Sequence, residues 1–198
     1  MTYGWALVSA YQLGGLRRAA VVWVAFMVVL WSAFAGAALA YPDAFGGVEP
    51  AERVDSMAGL ALFLYISVMN GMILLLIAGG NLFARFGWVT PGLIVLLLQG
   101  VQIGWMAGSN AFEFPFPSMA AANLAFLRVG LWETSACALI CAVTLPHPLL
   151  ISETFPPRAW SETRKLSDLR LDHQETVVLF LAIAMWLGAA VSEAVALR

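Results

Sequence analysis

Charged residues are scarce along this chain. Only 11% of its 198 residues are Asp, Glu, Lys or Arg, whereas 62% are hydrophobic. A soluble domain carries roughly 25% charged residues, so most of this surface must face something other than water. The net charge of −2 leaves no broad basic face for a nucleic acid. We therefore expect a membrane protein whose main surroundings are the lipid bilayer.

Cysteine is rare, and the common catalytic motifs are missing. Cys137 and Cys141 share one helix face in an apolar run, but that spacing does not favour a disulfide and gives no metal-ligand pattern. There is no Ser–His–Asp set, HExxH, CxxC, phosphate-binding loop or dinucleotide fingerprint. We predict no enzyme activity, no metal and no cofactor. His147 and His173 are interpreted as interfacial polar residues, with pigment, haem or metal ligation as the lesser alternative.

Apolar runs, in contrast, are plentiful. A helix needs about 20 mostly apolar residues to cross a ~30 Å hydrocarbon core, and turn-forming sequences separate five such runs. We predict an all-α polytopic transmembrane bundle that forms a single domain over residues 19–198, with one long loop at 147–174. The predicted spans cover about 19–40, 57–78, 88–107, 119–145 and 176–197.

The N-terminal segment, residues 1–18, is apolar but too short to span. Its aromatic residues suit the membrane interface and predict a short surface helix: Tyr3, Trp5 and Tyr11. Arg17 and Arg18, followed by an apolar stretch and the Ala-Leu-Ala at 38–40, also resemble a signal peptide with its cleavage site. That stretch is about 22 residues long, whereas signal peptides use 7–15. We therefore expect a retained first span.

Basic residues are distributed unevenly between the loops. With the N-terminus inside, seven fall on the cytoplasmic side: Arg17, Arg18, Arg85, Arg158, Arg164, Lys165 and Arg170. Only Arg53 and Arg198 fall outside. This bias predicts an N-in/C-out topology with a cytoplasmic 147–174 loop. The Ser-Glu-Thr at 161–163 resembles a capped first turn and predicts a short interfacial helix at about 161–171.

Polar residues inside the spans are the candidate site, because burying them in lipid is costly. A rise of 1.5 Å per residue places Asn70, Gln99 and Glu133 near the bilayer middle. Arg128 and Glu193 lie nearer the outer side, where we predict an ion pair or a shared cluster. The whole predicted intramembrane cluster is Asn70, Gln99, Gln102, Arg128, Glu133 and Glu193. These groups either link helices, form a polar pathway or ligand site, or contact a partner subunit.

Small residues recur every four positions in the third predicted span. Gly100, Gly104 and Gly108 form a ladder that lets two helix backbones approach closely. Gly130 in the fourth span is also expected to lie at a packing contact. These positions predict helix packing and carry no information about function.

Short motifs in the spans resemble the stage II sporulation protein M family over roughly residues 55–198. Residues 99–104, QGVQIG, are similar to the family's Asn-Gly followed by a glycine four residues on. Residues 130–136, GLWETSA, are similar to its His-Gly-x-x-Glu-x-x-Ala. The Asn-Gly at 70–71 and the C-terminal Glu193 complete the resemblance. Val129 stands at the family's histidine position, so a role that needs this histidine does not carry over.

The resemblance implies a multi-pass protein of a bacterial or archaeal inner (cytoplasmic) membrane. It also implies partners, either other membrane subunits or further copies of the chain, since sporulation members act in a peptidoglycan-remodelling complex. We therefore predict a non-enzymatic membrane scaffold or accessory subunit. The alternative is a small-solute or ion conduit built on Asn70, Gln99 and Glu133. A conduit needs a hydrated cavity at the midplane, whereas a scaffold needs polar groups closed on each other and an apolar face for a neighbour.

Overall fold

Five long apolar helices make up most of the protein. The computed structural model describes residues 11–46, 60–112 and 114–196. Within them, five helices are long and apolar enough to cross a membrane, which confirms the predicted helical class and is compatible with a multi-pass membrane protein. They are α1 (Gly15–Ala40), α2 (Leu60–Phe83), α3 (Pro91–Ser109), a composite fourth helix (Met119–Thr144) and α6 (His173–Ala196). The interfacial residues Tyr3 and Trp5 and the start of the second predicted span lie outside the described residues.

The fourth helix is composite because its backbone changes pitch. It consists of α4 (Met119–Ala125), a π-helical turn (Phe126–Gly130) and α5 (Leu131–Thr144). Half of its most apolar stretch is buried, against 33% or less for the other four helices. The fourth helix is therefore the centre around which the others pack.

Local sequence sets where α3 and α4 begin. Pro91 occupies the first turn of α3, where its missing N–H costs nothing, and the Thr90 hydroxyl accepts a hydrogen bond from the Leu93 amide at 3.2 Å. Ser118 caps α4 in the same way by accepting from the Ala121 amide at 3.2 Å. Asn110, with φ +52°, ends α3 in the left-handed conformation that asparagine tolerates.

The glycine ladder packs α3 against α1. A Cβ atom at Gly104 would collide with the carbonyl oxygen of Leu30, and one at Gly108 would collide with that of Phe34. Gly100 faces the ring of Phe26, which is 1% exposed. The ladder therefore works inside the bundle. Gly130 differs, because its nearest neighbour is the Phe126 ring of its own helix.

A small sheet closes one end of the bundle. Strand β1 (Ala84–Phe86) pairs in parallel with β2 (Leu150–Ser152), which pairs antiparallel with β3 (Ser161–Glu162). We call this the sheet end, and we call the opposite end, with residues 41–46, 110–112 and 114–118, the open end. These strands were not among the predicted elements.

The helix predicted at 161–171 is wrong. Ser161 and Glu162 pair with β2, and the Thr163 amide donates to the Leu149 carbonyl at 2.9 Å. Between residues 161 and 171, only Leu166–Asp168 is helical, and it forms a single 3-10 turn. The sheet supplies backbone partners that an isolated helix would have had to supply itself, so tertiary pairing overrides the local capping signal.

A polar cavity and a groove that meet at Glu133

The midspan polar residues surround a small cavity. Asn70 of α2, Gln99 of α3 and Glu133 of α5 line a space of about 60 Å³ together with Trp186 of α6. Asn70, Gln99 and Trp186 lie near the middle of their helices, and Glu133 lies near the middle of the composite fourth helix. Apolar residues complete the wall: Phe26, Ile73, Leu74, Ile103 and Cys137. A space of this size accommodates a few water molecules, each of which needs roughly 10–15 Å³.

The residues that line the cavity differ in how their polar atoms are paired. The Asn70 amide donates a hydrogen bond to Oε1 of Glu133. The indole Nε1 of Trp186 is buried and has no hydrogen-bond partner among the described residues. The carboxylate of Glu133 and the amides of Asn70 and Gln99 suit a polar occupant such as water or a small solute.

A much larger groove adjoins the cavity toward the open end. Its volume is about 890 Å³, and Ile103, Glu133 and Thr134 line both spaces. The other groove walls come from the fourth helix, the end of α6 and residues 112 and 114–117. Glu133 thus stands where a midspan cavity meets a wide opening.

The π-helical turn shapes the groove. π-Helical turns are rare and are often found at functional sites, because the extra residue re-aims the side chains around it. Here the turn carries Arg128, which is exposed and lines the groove two residues before Gly130 and five before Glu133. The Thr134 hydroxyl donates to the Gly130 carbonyl at 2.8 Å, next to the irregular turn. No sequence pattern considered above predicts this turn.

The remaining predicted site residues separate into two groups. Arg128 and Glu193 line the same groove, while a direct ion pair between them stays a prediction. Gln102 does not line the cavity or the groove; its exposed side chain lies 4.0 Å from the Met106 sulfur. The structure therefore brings Asn70, Gln99 and Glu133 together and leaves Gln102 apart.

Sequence reasoning missed a buried ionic network at the sheet end. Arg18 is 3% exposed and Glu175 is 4% exposed, and their side chains pair at 2.5 Å between Nη2 and Oε1. Arg18 also donates to the carbonyls of Ala142 at 2.6 Å and Leu13 at 2.8 Å. This network joins the starts of α1 and α6 to the end of α5.

His147 extends the same network. Its Nε2 lies 3.1 Å from Oε1 of Glu175, and its Nδ1 lies 2.8 Å from Nη1 of Arg164. Arginine can only donate, so Nδ1 accepts and the ring proton resides on Nε2. Both ring nitrogens are occupied by protein partners, which leaves His147 without a free nitrogen for a pigment or a metal. His173 is exposed at the start of α6.

A second group of buried hydrogen bonds, centred on Asn81, lies beside this ionic network. Asn81 is fully buried and donates to the Cys141 carbonyl at 3.2 Å and the Thr144 hydroxyl at 2.8 Å. Its carbonyl accepts from the Thr90 hydroxyl at 2.5 Å. Asn81 therefore ties α2 to α5 and to the start of α3.

Tyr11 anchors the segment before α1 to the same end. Its hydroxyl donates to the Trp88 carbonyl at 2.9 Å, and the Arg85 guanidinium lies 4.8 Å from the ring centroid. Burial raises the pKa of the Tyr11 hydroxyl to about 12, against the opposing effect of the Arg85 charge. Tyr11 therefore stays a neutral donor at physiological pH.

Taken together, the fold and the site define a compact helical bundle with five apolar helices, a midspan carboxylate and a groove at one end. Within the described residues, no group of three or more His, Cys, Asp or Glu side chains is arranged to hold a metal. No protein-family model matches the chain, and neither a curated protein nor a solved structure shows significant similarity to it. The resemblance to the sporulation family therefore stays a prediction.

Proposed function

We propose that this chain is a non-enzymatic multi-pass membrane protein that conducts a small solute or ion past Glu133. The supporting observation is that Glu133 lines both the midspan cavity and the groove toward the open end. A carboxylate at membrane depth is costly, and such groups mark ion pathways and proton relays. A conduit needs a hydrated cavity at the midplane, whereas a scaffold needs polar groups closed on each other; a cavity bounded by midspan polar residues supports the conduit over the scaffold.

Three side chains would have separate roles at this site. Glu133 supplies the negative charge that attracts a cation or carries a proton. Asn70 holds the Glu133 carboxylate by its hydrogen bond, and Gln99 offers an amide that replaces water around a passing solute. The sheet end is closed by the Arg18–Glu175 pair, so passage requires movement there. The proposed cycle therefore alternates between an open groove and an opened sheet end.

The proposed topology places the sheet end in the cytoplasm of a bacterial or archaeal cell, with the N-terminus inside. The uneven distribution of basic loop residues supports it. Cysteines introduced at Asp43 and Ser161, both exposed, should react with a membrane-impermeant reagent from opposite sides. The native Cys137 and Cys141 lie within a helix and should stay unlabelled. Labelling of both new cysteines from one side would contradict the topology.

The test of conduction is flux through the purified protein in liposomes. With a trapped pH-sensitive dye, an imposed pH gradient should dissipate faster with the protein than without it. Glu133→Gln should abolish the increase, whereas Glu162→Gln, which removes an exposed carboxylate from β3, should not. A wild-type rate equal to that of empty liposomes, for protons and for Na⁺ and K⁺ assayed in the same way, would overturn ion conduction.

A second candidate function is the accessory subunit predicted from the sequence. The observation that favours it is a set of apolar side chains exposed outside the spans. Phe155 is 77% exposed, Leu166 is 66% exposed and Trp160 is 47% exposed, all in the loop of the sheet end. Exposed apolar side chains mark a contact surface where they form one contiguous patch, and these three lie within twelve residues of one loop.

Purification in mild detergent tests this second function. A stoichiometric companion protein should be lost on combining Trp160→Ser with Leu166→Ser, and it should be retained by Ser167→Ala in the same loop. A single 21.3 kDa species without any companion would contradict the accessory role.

A further inference from the structure

Two polar layers join α2 to α5, and they have the same spacing on both helices. At midspan the Asn70 amide donates to Glu133, and toward the sheet end the Asn81 amide donates to the Thr144 hydroxyl. Eleven residues separate the two asparagines, and eleven separate Glu133 from Thr144. Eleven residues make close to three helical turns, so the two layers lie on one face of each helix, about 16 Å apart along the axis.

Apolar side chains fill the interval between the two polar layers. On α2 the shared face carries Leu74 and Ile77, and on α5 the matching positions are Cys137 and Ile140. Ile77 is 0% exposed, and all four side chains pack in one core cluster with Leu96 of α3. A free cysteine in such surroundings behaves as a small hydrophobe. We call Leu74, Ile77, Cys137 and Ile140 the apolar layer.

The apolar layer bounds the midspan cavity on the side of the sheet end. Leu74 and Cys137 line the cavity, whereas Ile77 and Ile140, about one turn further along, do not. The backbones are tightly packed at this level, because a Cβ atom at Gly92 of α3 would lie 2.1 Å from the Ile77 carbonyl oxygen. A solute that occupies the cavity therefore meets an apolar barrier before it reaches the next polar groups.

Apolar constrictions are barriers that polar solutes cross only with water. Moving a polar or charged group into apolar surroundings without a hydrogen-bond partner is costly. Hydrophobic constrictions in channels gate by excluding water, and they conduct when water enters. One buried side chain at the level of closest packing can therefore limit the rate, and Ile77 occupies that position.

We propose that the apolar layer is the gate of the conduit and that Ile77 is its principal residue. In the closed state it separates the midspan cavity from the polar groups around Asn81. Movement of α2 away from α5 at this level admits water and joins the two polar layers. The proposal names what regulates passage past Glu133, and it rests on the proposed function in that respect.

Two variants of nearly the same shape test the proposal. Valine and threonine at position 77 differ in that a hydroxyl replaces a methyl group. Proton flux in liposomes should be at least about tenfold faster for Ile77→Thr than for Ile77→Val, because the hydroxyl helps water to enter the layer. Adding Glu133→Gln to Ile77→Thr should abolish the increase. Ile140→Thr against Ile140→Val repeats the comparison on the facing helix. Leu75→Thr, at an exposed position of α2, is the control and should keep the wild-type rate.

The outcomes separate the gate from the conduit. Equal flux of the threonine and valine variants at both positions, with a wild-type rate that depends on Glu133, would overturn the gate and leave conduction standing. Flux in Ile77→Thr that survives Glu133→Gln would also overturn the gate, because the leak would bypass the site. Glu133-dependent flux in the threonine variants alone would uphold the gate and refute conduction by the wild-type chain. Absence of flux in every variant would refute both. Gel filtration and thermal unfolding establish that each compared pair is folded.

Discussion

The polar groups at the two ends of the bundle differ in how completely they are paired with other protein groups. At the sheet end, Arg18, Glu175, His147 and Asn81 are buried and engage several partners each. Toward the open end, Glu133 lines the midspan cavity on one side and the groove on the other. Buried polar groups that are fully paired stabilise one conformation, while partly paired groups are suited to exchanging partners. The comparison indicates that folding depends on the sheet end and that function depends on the midspan and the groove.

The largest effect on stability should come from the ionic network. Glu175→Ala removes the partner of Arg18 and leaves a buried cation, which costs about 3–5 kcal/mol. We expect a marked fall in the unfolding temperature in detergent. Arg17→Ala, at the exposed neighbouring position, is the control and should change little. A small effect of Glu175→Ala would show that water reaches the network and that the sheet end is not closed.

A smaller loss should follow from filling the α1–α3 contact. Gly104→Leu drives a side chain against the Leu30 carbonyl, and such overpacking costs on the order of 1–3 kcal/mol. Gly36→Ala on α1 is the control, because a Cβ there meets nothing within 4 Å. Chemical unfolding in mixed micelles measures the free energy of unfolding of both variants. Equal stability of the two variants would mean that α1 and α3 separate easily.

Removing the hydrogen bonds of Asn81 should lower stability by a comparable or smaller amount. Asn81→Ala leaves the Thr90 hydroxyl without its acceptor and the Thr144 hydroxyl without one donor, at about 1–3 kcal/mol. Asn70→Ala is the matched change at midspan, where the cavity has room for water to replace the lost amide. Thermal unfolding should therefore show a larger loss of stability for Asn81→Ala than for Asn70→Ala. Equal losses would contradict the contrast between the sheet end and the midspan.

The smallest effect on stability is expected at the proposed functional residue. Glu133→Gln keeps an oxygen that can accept from Asn70 and removes a costly charge, so stability should change by less than about 1 kcal/mol. The same variant should lose the flux in liposomes. If Glu133→Gln unfolds the protein as severely as Glu175→Ala, the carboxylate is structural and the conduit proposal fails.

Much of the site could be inferred from position along the spans. Counting residues placed Asn70, Gln99 and Glu133 at one depth, and the structure shows them around one cavity. The same counting did not place Arg18 and Glu175 together, because each lies just before a predicted span and neither was counted among the intramembrane polar groups. A signal existed, since opposite charges at two span ends on the same side of the membrane can meet. Depth along a span does not by itself decide which side chains reach the cavity. Gln102 follows Gln99 by three residues, but the helix turns it away from the cavity that Gln99 lines.

The sequence by itself determined the helical class and the approximate limits of five apolar helices, because the length and hydrophobicity of a span are local properties. The tertiary structure alone decided the sheet, the π-helical turn and the groove. Each of these depends on which backbone groups find partners in distant segments, as when β1 pairs with β2 across more than sixty residues. Hydropathy fixes where the chain forms long helices, while packing and hydrogen bonding between helices fix which polar atoms are left facing open space.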